Sequence, residues 1–130
     1  MTVYDSSVLI DYLAGEARAV DYVKSHSDQR AVAPPLVLFE VYRGELYKSG
    51  PPDFDAVDAA LQWLDTVEEN RSQTRAAANA QHELQTHGVQ LSARDAFIAG
   101  IAIQLDETLA VADTDFALDG IDDVLAVDLL

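Results

Sequence analysis

Hydrophobic and polar positions alternate along this chain in two periods, one short and strand-like, the other helical. Thr2 to Tyr4 is a brief β-prone run that stops on Asp5, after which Val8, Leu9, Tyr12 and Leu13 recur at helical spacing. Gly15 separates that helix from a second one predicted over Glu16 to Ser27, with Val20 and Val23 on its apolar side. Ala31 to Ala33 reads as a strand, and Pro34-Pro35 places proline at the first turn of a helix running to about Lys48. After Gly50-Pro51-Pro52, Asp53 caps a helix carrying Phe54, Val57, Ala60, Leu61 and Leu64. The pattern then predicts a short strand at Thr66 to Glu68 and a long alanine-rich helix from Asn70 to His87, ended by Gly88. Ser92 opens a helix through Asp95, Ile98, Ala99, Ala102 and Leu105, followed by an apolar strand from Thr108 to Ala112 and a last strand at Val124 to Val127. Strands alternating with helices imply an α/β domain with a central, mainly parallel sheet covered on both faces. With no internal repeat or long linker, residues 1–130 read as one domain.

Composition narrows the chemistry. Without cysteine, neither disulfides nor thiolate ligands are available, so any metal must be held by oxygen and nitrogen. The three histidines are not paired at ligand spacing and read as surface residues. No apolar run approaches the roughly 20 residues that span a bilayer, and no basic leader precedes the first strand, so a soluble cytoplasmic protein with no membrane partner is expected. The net charge of −15 repels polyanions unless a cation intervenes. Few lysines and many acids also fit a halophilic host, because screening at molar salt relieves self-repulsion. Equal stability in dilute buffer and in molar potassium chloride would count against that origin.

Four acids stand where the pattern buries or aims them. Asp5 and Asp113 each end a strand, and if those strands are parallel both carboxylates leave the sheet at the edge where ligands bind. Asp95 shares a helix face with Ile98, Ala99 and Ala102, and Glu40 is flanked by Leu36, Val37, Phe39 and Val41. Each has an ordinary alternative. Asp5, Ser6 or Ser7 can cap a helix, and Ser92 with Asp95 resembles a capping box. Glu40 can pair with Arg43, while Asp113 and Asp115 can bond their own backbone in a turn. Gathered together, the acids would need a cation, and an oxygen-only donor set favours Mg²⁺ or Mn²⁺.

Asp5-Ser-Ser-Val-Leu-Ile, Glu40 in its apolar helix, Arg94-Asp95-Ala-Phe-Ile-Ala-Gly-Ile-Ala and Asp113-Thr-Asp115-Phe116 together resemble the PIN domain of VapC-type toxins. The likeness runs over nearly the whole chain, in order. It implies a three-layer α/β/α fold and a Mg²⁺- or Mn²⁺-dependent endoribonuclease that hydrolyses RNA with metal-activated water. By motif match, Asp5, Glu40, Asp95 and Asp113 are the implied catalytic and metal-binding acids, with Asp115 beside them and Ser6 in support. Arg43, Lys48 and Arg94 are the cations available to RNA, and Arg43 and Arg94 have the alternative of pairing with nearby acids. The resemblance further implies a homodimer neutralised by a VapB-type antitoxin. One departure is that Val111-Ala112 replaces the threonine often found before the last acidic motif, leaving Asp113 and Asp115 as competing fourth acids. Two other readings stand beside it: a PIN-fold nuclease or binding module of ribosomal RNA processing, and a receiver-type signalling domain. The second lacks the late lysine that such a domain needs, since the only lysines are Lys24 and Lys48.

Overall fold

The computed structural model describes residues Met1–Leu130 and contains five strands and six helices. They follow one another as β1 (Thr2–Tyr4), α1 (Ser6–Leu13), α2 (Ala17–Ser25), β2 (Ala31–Ala33), α3 (Pro35–Glu45), α4 (Phe54–Ala60), β3 (Leu64–Thr66), α5 (Arg71–Thr86), α6 (Ala93–Leu105), β4 (Thr108–Val111) and β5 (Val127–Leu129). All strand pairs are parallel, in the order β3-β2-β1-β4-β5, with Val3 beside both Val32 and Leu109. Both faces of the sheet are covered, in three α/β/α layers. A receiver-like order of 2-1-3-4-5 is therefore excluded.

The strand order explains where a site can form. From β1 the chain steps outward through β2 to β3, with α1 packed on α2 and α3 along the way. It then returns through the packed pair α5 and α6 to the other side of β1, and right-handed crossovers put the two groups of helices on opposite faces. Connections that leave β1 and β4 in opposite directions open a crevice at the carboxyl ends of these two strands. Val3, Val32, Leu109, Ala110 and Val111 are almost fully buried at the centre. Beneath the α1 to α4 layer, Tyr4 meets Trp63 and Tyr22 edge to face, at centroid distances of 5.3 and 6.0 Å. Burial pushes the Tyr4 phenol up to about 12, so it stays neutral over any ordinary pH.

Helix α6, which carries two of the candidate residues, is held tightly on α5. Gly100 permits this approach, because a Cβ there would lie 2.4 Å from the Gln73 carbonyl oxygen and 2.7 Å from the Ala77 Cβ. Gln73 is itself buried, closing a capping box with Asn70 and donating to the Glu68 carbonyl.

Several boundaries differ from the sequence expectation, each for a local reason. Helix α3 stops at Glu45 rather than Lys48, because Leu46, Tyr47 and Lys48 turn through tighter bonds to the carbonyls three residues back. Helix α4 ends at Ala60, whose carbonyl accepts from the Trp63 indole at 3.0 Å, and this frees Leu64 to start β3 two residues earlier than expected. The last strand is displaced to Val127–Leu129 because Ile121–Asp123 forms a 3₁₀ turn whose Ile121 carbonyl holds the Val124 and Leu125 amides. Phe54, at the start of α4, is 42% exposed and meets Tyr42 edge to face at 5.6 Å.

Candidate active site

Asp5 lies one residue past β1 and serves two elements with its two oxygens. Its Oδ2 accepts from the Ser7 amide at 3.2 Å and the Ser7 hydroxyl at 2.6 Å, which makes Asp5 itself the cap of α1. The alternatives of capping and site formation thus coexist in one side chain, rather than being divided between Asp5 and a neighbouring serine. Ser7 also accepts from the Ala112 amide at 3.0 Å, tying the start of α1 to the end of β4 across the crevice. With 1% of its side chain exposed, Asp5 needs these partners, because burying an unpaired carboxylate costs several kcal/mol, on the order of the desolvation penalty per ion.

The other oxygen of Asp5 faces Arg94, and so do two further acids. The guanidinium Nη2 donates to Asp5 Oδ1 at 2.8 Å and to the Ser6 hydroxyl at 2.9 Å. Nε donates to both Glu40 oxygens at 3.1 and 3.0 Å, and Nη2 reaches Glu40 Oε1 at 2.5 Å. Nη1 donates to Asp95 Oδ1 at 2.5 Å. Three carboxylates from three separate elements therefore line the edges of one planar fork, a geometry that arginine supports and lysine does not. Burial opposes the charge on Arg94, but the hydrogen bonds to Glu40, the charge of Asp5 and the bonds to Asp95 and Asp5 outweigh it and hold the guanidinium protonated.

Asp95 is the third residue of α6, and its amide donates to the capping Ser92 hydroxyl oxygen at 3.1 Å. Only the Ser92 half of the suggested capping box forms, since the Asp95 side chain turns to Arg94 instead. Glu40 does not pair with Arg43. Arg43 is exposed and lies over the Phe39 ring at 5.7 Å, while Lys48 pairs with Glu45 at 2.5 Å, so neither of these cations is brought to the acids.

Asp113 stands at the same sheet edge as Asp5, because β1 and β4 are parallel with Tyr4 beside Ala110. It makes no bond to Arg94; its Oδ1 accepts from the Asp115 amide at 3.1 Å in the turn arrangement. Burial raises its pKa, the Asp115 amide lowers it, and the charges of Asp5, Asp115 and Asp95 raise it further, with a net upward shift. Asp115 is exposed. Of the two, Asp113 is the one whose pKa the charges of both buried acids raise.

This cluster fits a hard divalent cation in its chemistry. Three carboxylates against one guanidinium leave two negative charges uncompensated, before Asp113 is counted. All donors are oxygen. As the side chains stand, the acids meet around Arg94 and not around a common metal-sized point. The part played by Ser7 and the central place of Arg94 were missed by sequence reasoning. Two adjacent serines look alike in a sequence, and nothing in Arg94's neighbours separates a substrate cation from a structural one.

Fold and site together describe a three-layer α/β/α protein with an acid cluster at its topological switch point. The chain belongs to the PIN domain family, whose model matches residues 2–119. PIN domains are generally nucleases and generally use divalent metal ions. Solved structures similar to this chain include VapBC2 from Rickettsia felis bound to a DNA fragment from its promoter, with a TM-score of 0.80 at 14% identity over 99% of this chain and 98% of that one. VapBC-1 from nontypeable Haemophilus influenzae gives 0.78 at 16% identity, over 98% and 96% of the two chains. FitAcB from Neisseria gonorrhoeae gives 0.74 at 20% identity, again over 98% and 96%. No curated protein matches the chain in sequence. No helix is long and apolar enough to cross a membrane.

Proposed function

We propose that this protein is a Mg²⁺- or Mn²⁺-dependent endoribonuclease and the toxin of a type II toxin-antitoxin pair. The observation that carries the reading is the convergence of Asp5, Glu40 and Asp95 on one cation at the β1/β4 crevice, with two negative charges left over. Asp5, Glu40 and Asp95 would hold the divalent ion, with Asp113 as the fourth acid and Asp115 beside it. When bound, such an ion would supply positive charge for the phosphate and the leaving oxygen and would make a water more acidic. The chain's own contribution is positional. Ser7 fixes one oxygen of the Asp5 carboxylate, Arg94, itself bonded to the Ser6 hydroxyl, holds the other, and the α5–α6 contact at Gly100 fixes the height of Asp95. Asp113, with its raised pKa, takes up a proton more readily than an ordinary aspartate. Arg43 and Lys48, exposed on and just after α3, are available to RNA phosphates away from the cluster.

The toxin role is supported by the likeness to the VapBC and FitAcB structures. Phe39, Leu46, Tyr47 and Phe54 are large, exposed apolar side chains on α3, just after it and at the start of α4, which supports a surface for a VapB-type antitoxin or a second copy of the chain. Cleavage of structured RNAs with Mg²⁺, with Mn²⁺ or with chelator, by wild type and by Asp5→Asn, Glu40→Gln and Asp95→Asn, tests the reading at low and high salt. Each variant is expected to lose more than about 100-fold, because even outer-shell partners of metal ligands are worth about 10- to 100-fold. Cleavage that survives chelation, or is equal in all four proteins, would falsify it. Light scattering of the purified protein tests the homodimer.

A further inference from the structure

We infer that Arg94 is a built-in counter-cation which holds Asp5, Glu40 and Asp95 together before metal arrives and competes with the divalent ion for their oxygens. The inference rests on the metal-binding reading given above and concerns what that binding must displace. Arg94 donates to four of the six oxygens of these three carboxylates: Asp5 Oδ1, both Glu40 oxygens and Asp95 Oδ1. Asp5 Oδ2 is committed to Ser7, which leaves Asp95 Oδ2 as the one oxygen with no protein donor. An ion that gathers all three acids must therefore share or take oxygens that now face the guanidinium.

Arg94 is placed to yield. It is the most exposed member of the group, with 28% of its side chain open to solvent against 1% for Asp5, 7% for Asp95 and 17% for Glu40. Its single charge leaves the cluster under-compensated, so a dication has an electrostatic advantage, and the long arginine stem can swing outward on the α6 first turn while the acids stay on their elements. Arg94 acts on the reaction through the acids and is a positioning residue. It keeps mutually repelling carboxylates in a shape an ion can enter, and it sets a threshold concentration for entry.

Arg94→Met and Arg94→Lys, compared with wild type, test this by thermal unfolding in chelator and by calorimetric titration with Mn²⁺ alone. Arg94→Met is expected to unfold at a lower temperature in chelator, to regain more stability from Mn²⁺ than wild type does, and to bind Mn²⁺ at least about tenfold more tightly, the factor that ~1.4 kcal/mol of lost competition corresponds to. Arg94→Lys keeps the charge without the fork and is expected between the two; it stands in if the methionine variant does not fold without metal. Mn²⁺ affinity that is unchanged or weaker in both variants overturns the competition while leaving the nuclease reading intact, provided wild type binds Mn²⁺ and Asp5→Asn does not. Absence of saturable Mn²⁺ binding in every protein overturns both.

Discussion

The two sides of the acid cluster contain the same kind of residue in opposite electrostatic circumstances. On the inner side, Asp5, Glu40 and Asp95 are largely buried and share the Arg94 guanidinium. On the outer side, Asp113 is half-buried, bonded only to the Asp115 amide, and its pKa is raised by burial and by its acidic neighbours. The inner acids share a guanidinium within 2.5 to 3.1 Å, and Asp113 has none. Burial alone does not decide how a carboxylate behaves. The position of the nearest positive charge does.

Removing that charge should have the largest effect. In chelator, Arg94→Met is expected to lose about 3–5 kcal/mol of stability, the range for breaking a buried ion pair from one side, measured by denaturant unfolding. A loss near zero would show that the inner acids do not depend on Arg94, and the contrast between the two sides would collapse. A smaller effect is expected from Ser7→Ala, which removes the hydroxyl joining Asp5 to the Ala112 amide. It should cost about 1–2 kcal/mol, as for a lost side-chain hydrogen bond with a buried partner left short of a donor.

The smallest effect has the opposite sign. Because the folded pKa of Asp113 is raised, its contribution to stability is fully present below the ordinary carboxyl pKa and is lost as pH rises through the raised value. Asp113→Asn should therefore stabilise the metal-free protein at neutral pH by less than about 1 kcal/mol after solvent screening, and by nothing at a pH below the ordinary carboxyl range. Asp115→Asn, at an exposed position, should leave the unfolding curve where it was. A gain from Asp115→Asn with none from Asp113→Asn would reverse their assignment.

These contrasts also show what was legible in one dimension. The alternation of short apolar runs with helical periods was enough to give β1, β2 and β4 nearly to the residue, because those strands are buried on both faces and leave little polar ambiguity. The capping serine at 92 and the asparagine at 70 marked the starts of α6 and α5, since side-chain capping is a local interaction. The edge strands β3 and β5 were displaced by two or three residues. Their limits are set by the Trp63 indole on the Ala60 carbonyl and by the turn at Ile121, and strand propensity does not encode either contact.

For the site, the sequence alone determined that acids would end β1 and β4 and that Glu40 and Asp95 would sit among apolar residues, because periodicity is a property of neighbours along the chain. It did not decide which cation they would meet. Arg43 lies three residues from Glu40 and went to the Phe39 ring, whereas Arg94 lies 54 residues away and took both Glu40 oxygens. That choice follows from the return of α6 across the sheet beside β1, which only the strand order and the close α5–α6 packing at Gly100 bring about. Charge pairing in a folded chain is governed by distance and burial in space, and a separation of 54 residues becomes a 2.5 Å contact only after the crossover is made.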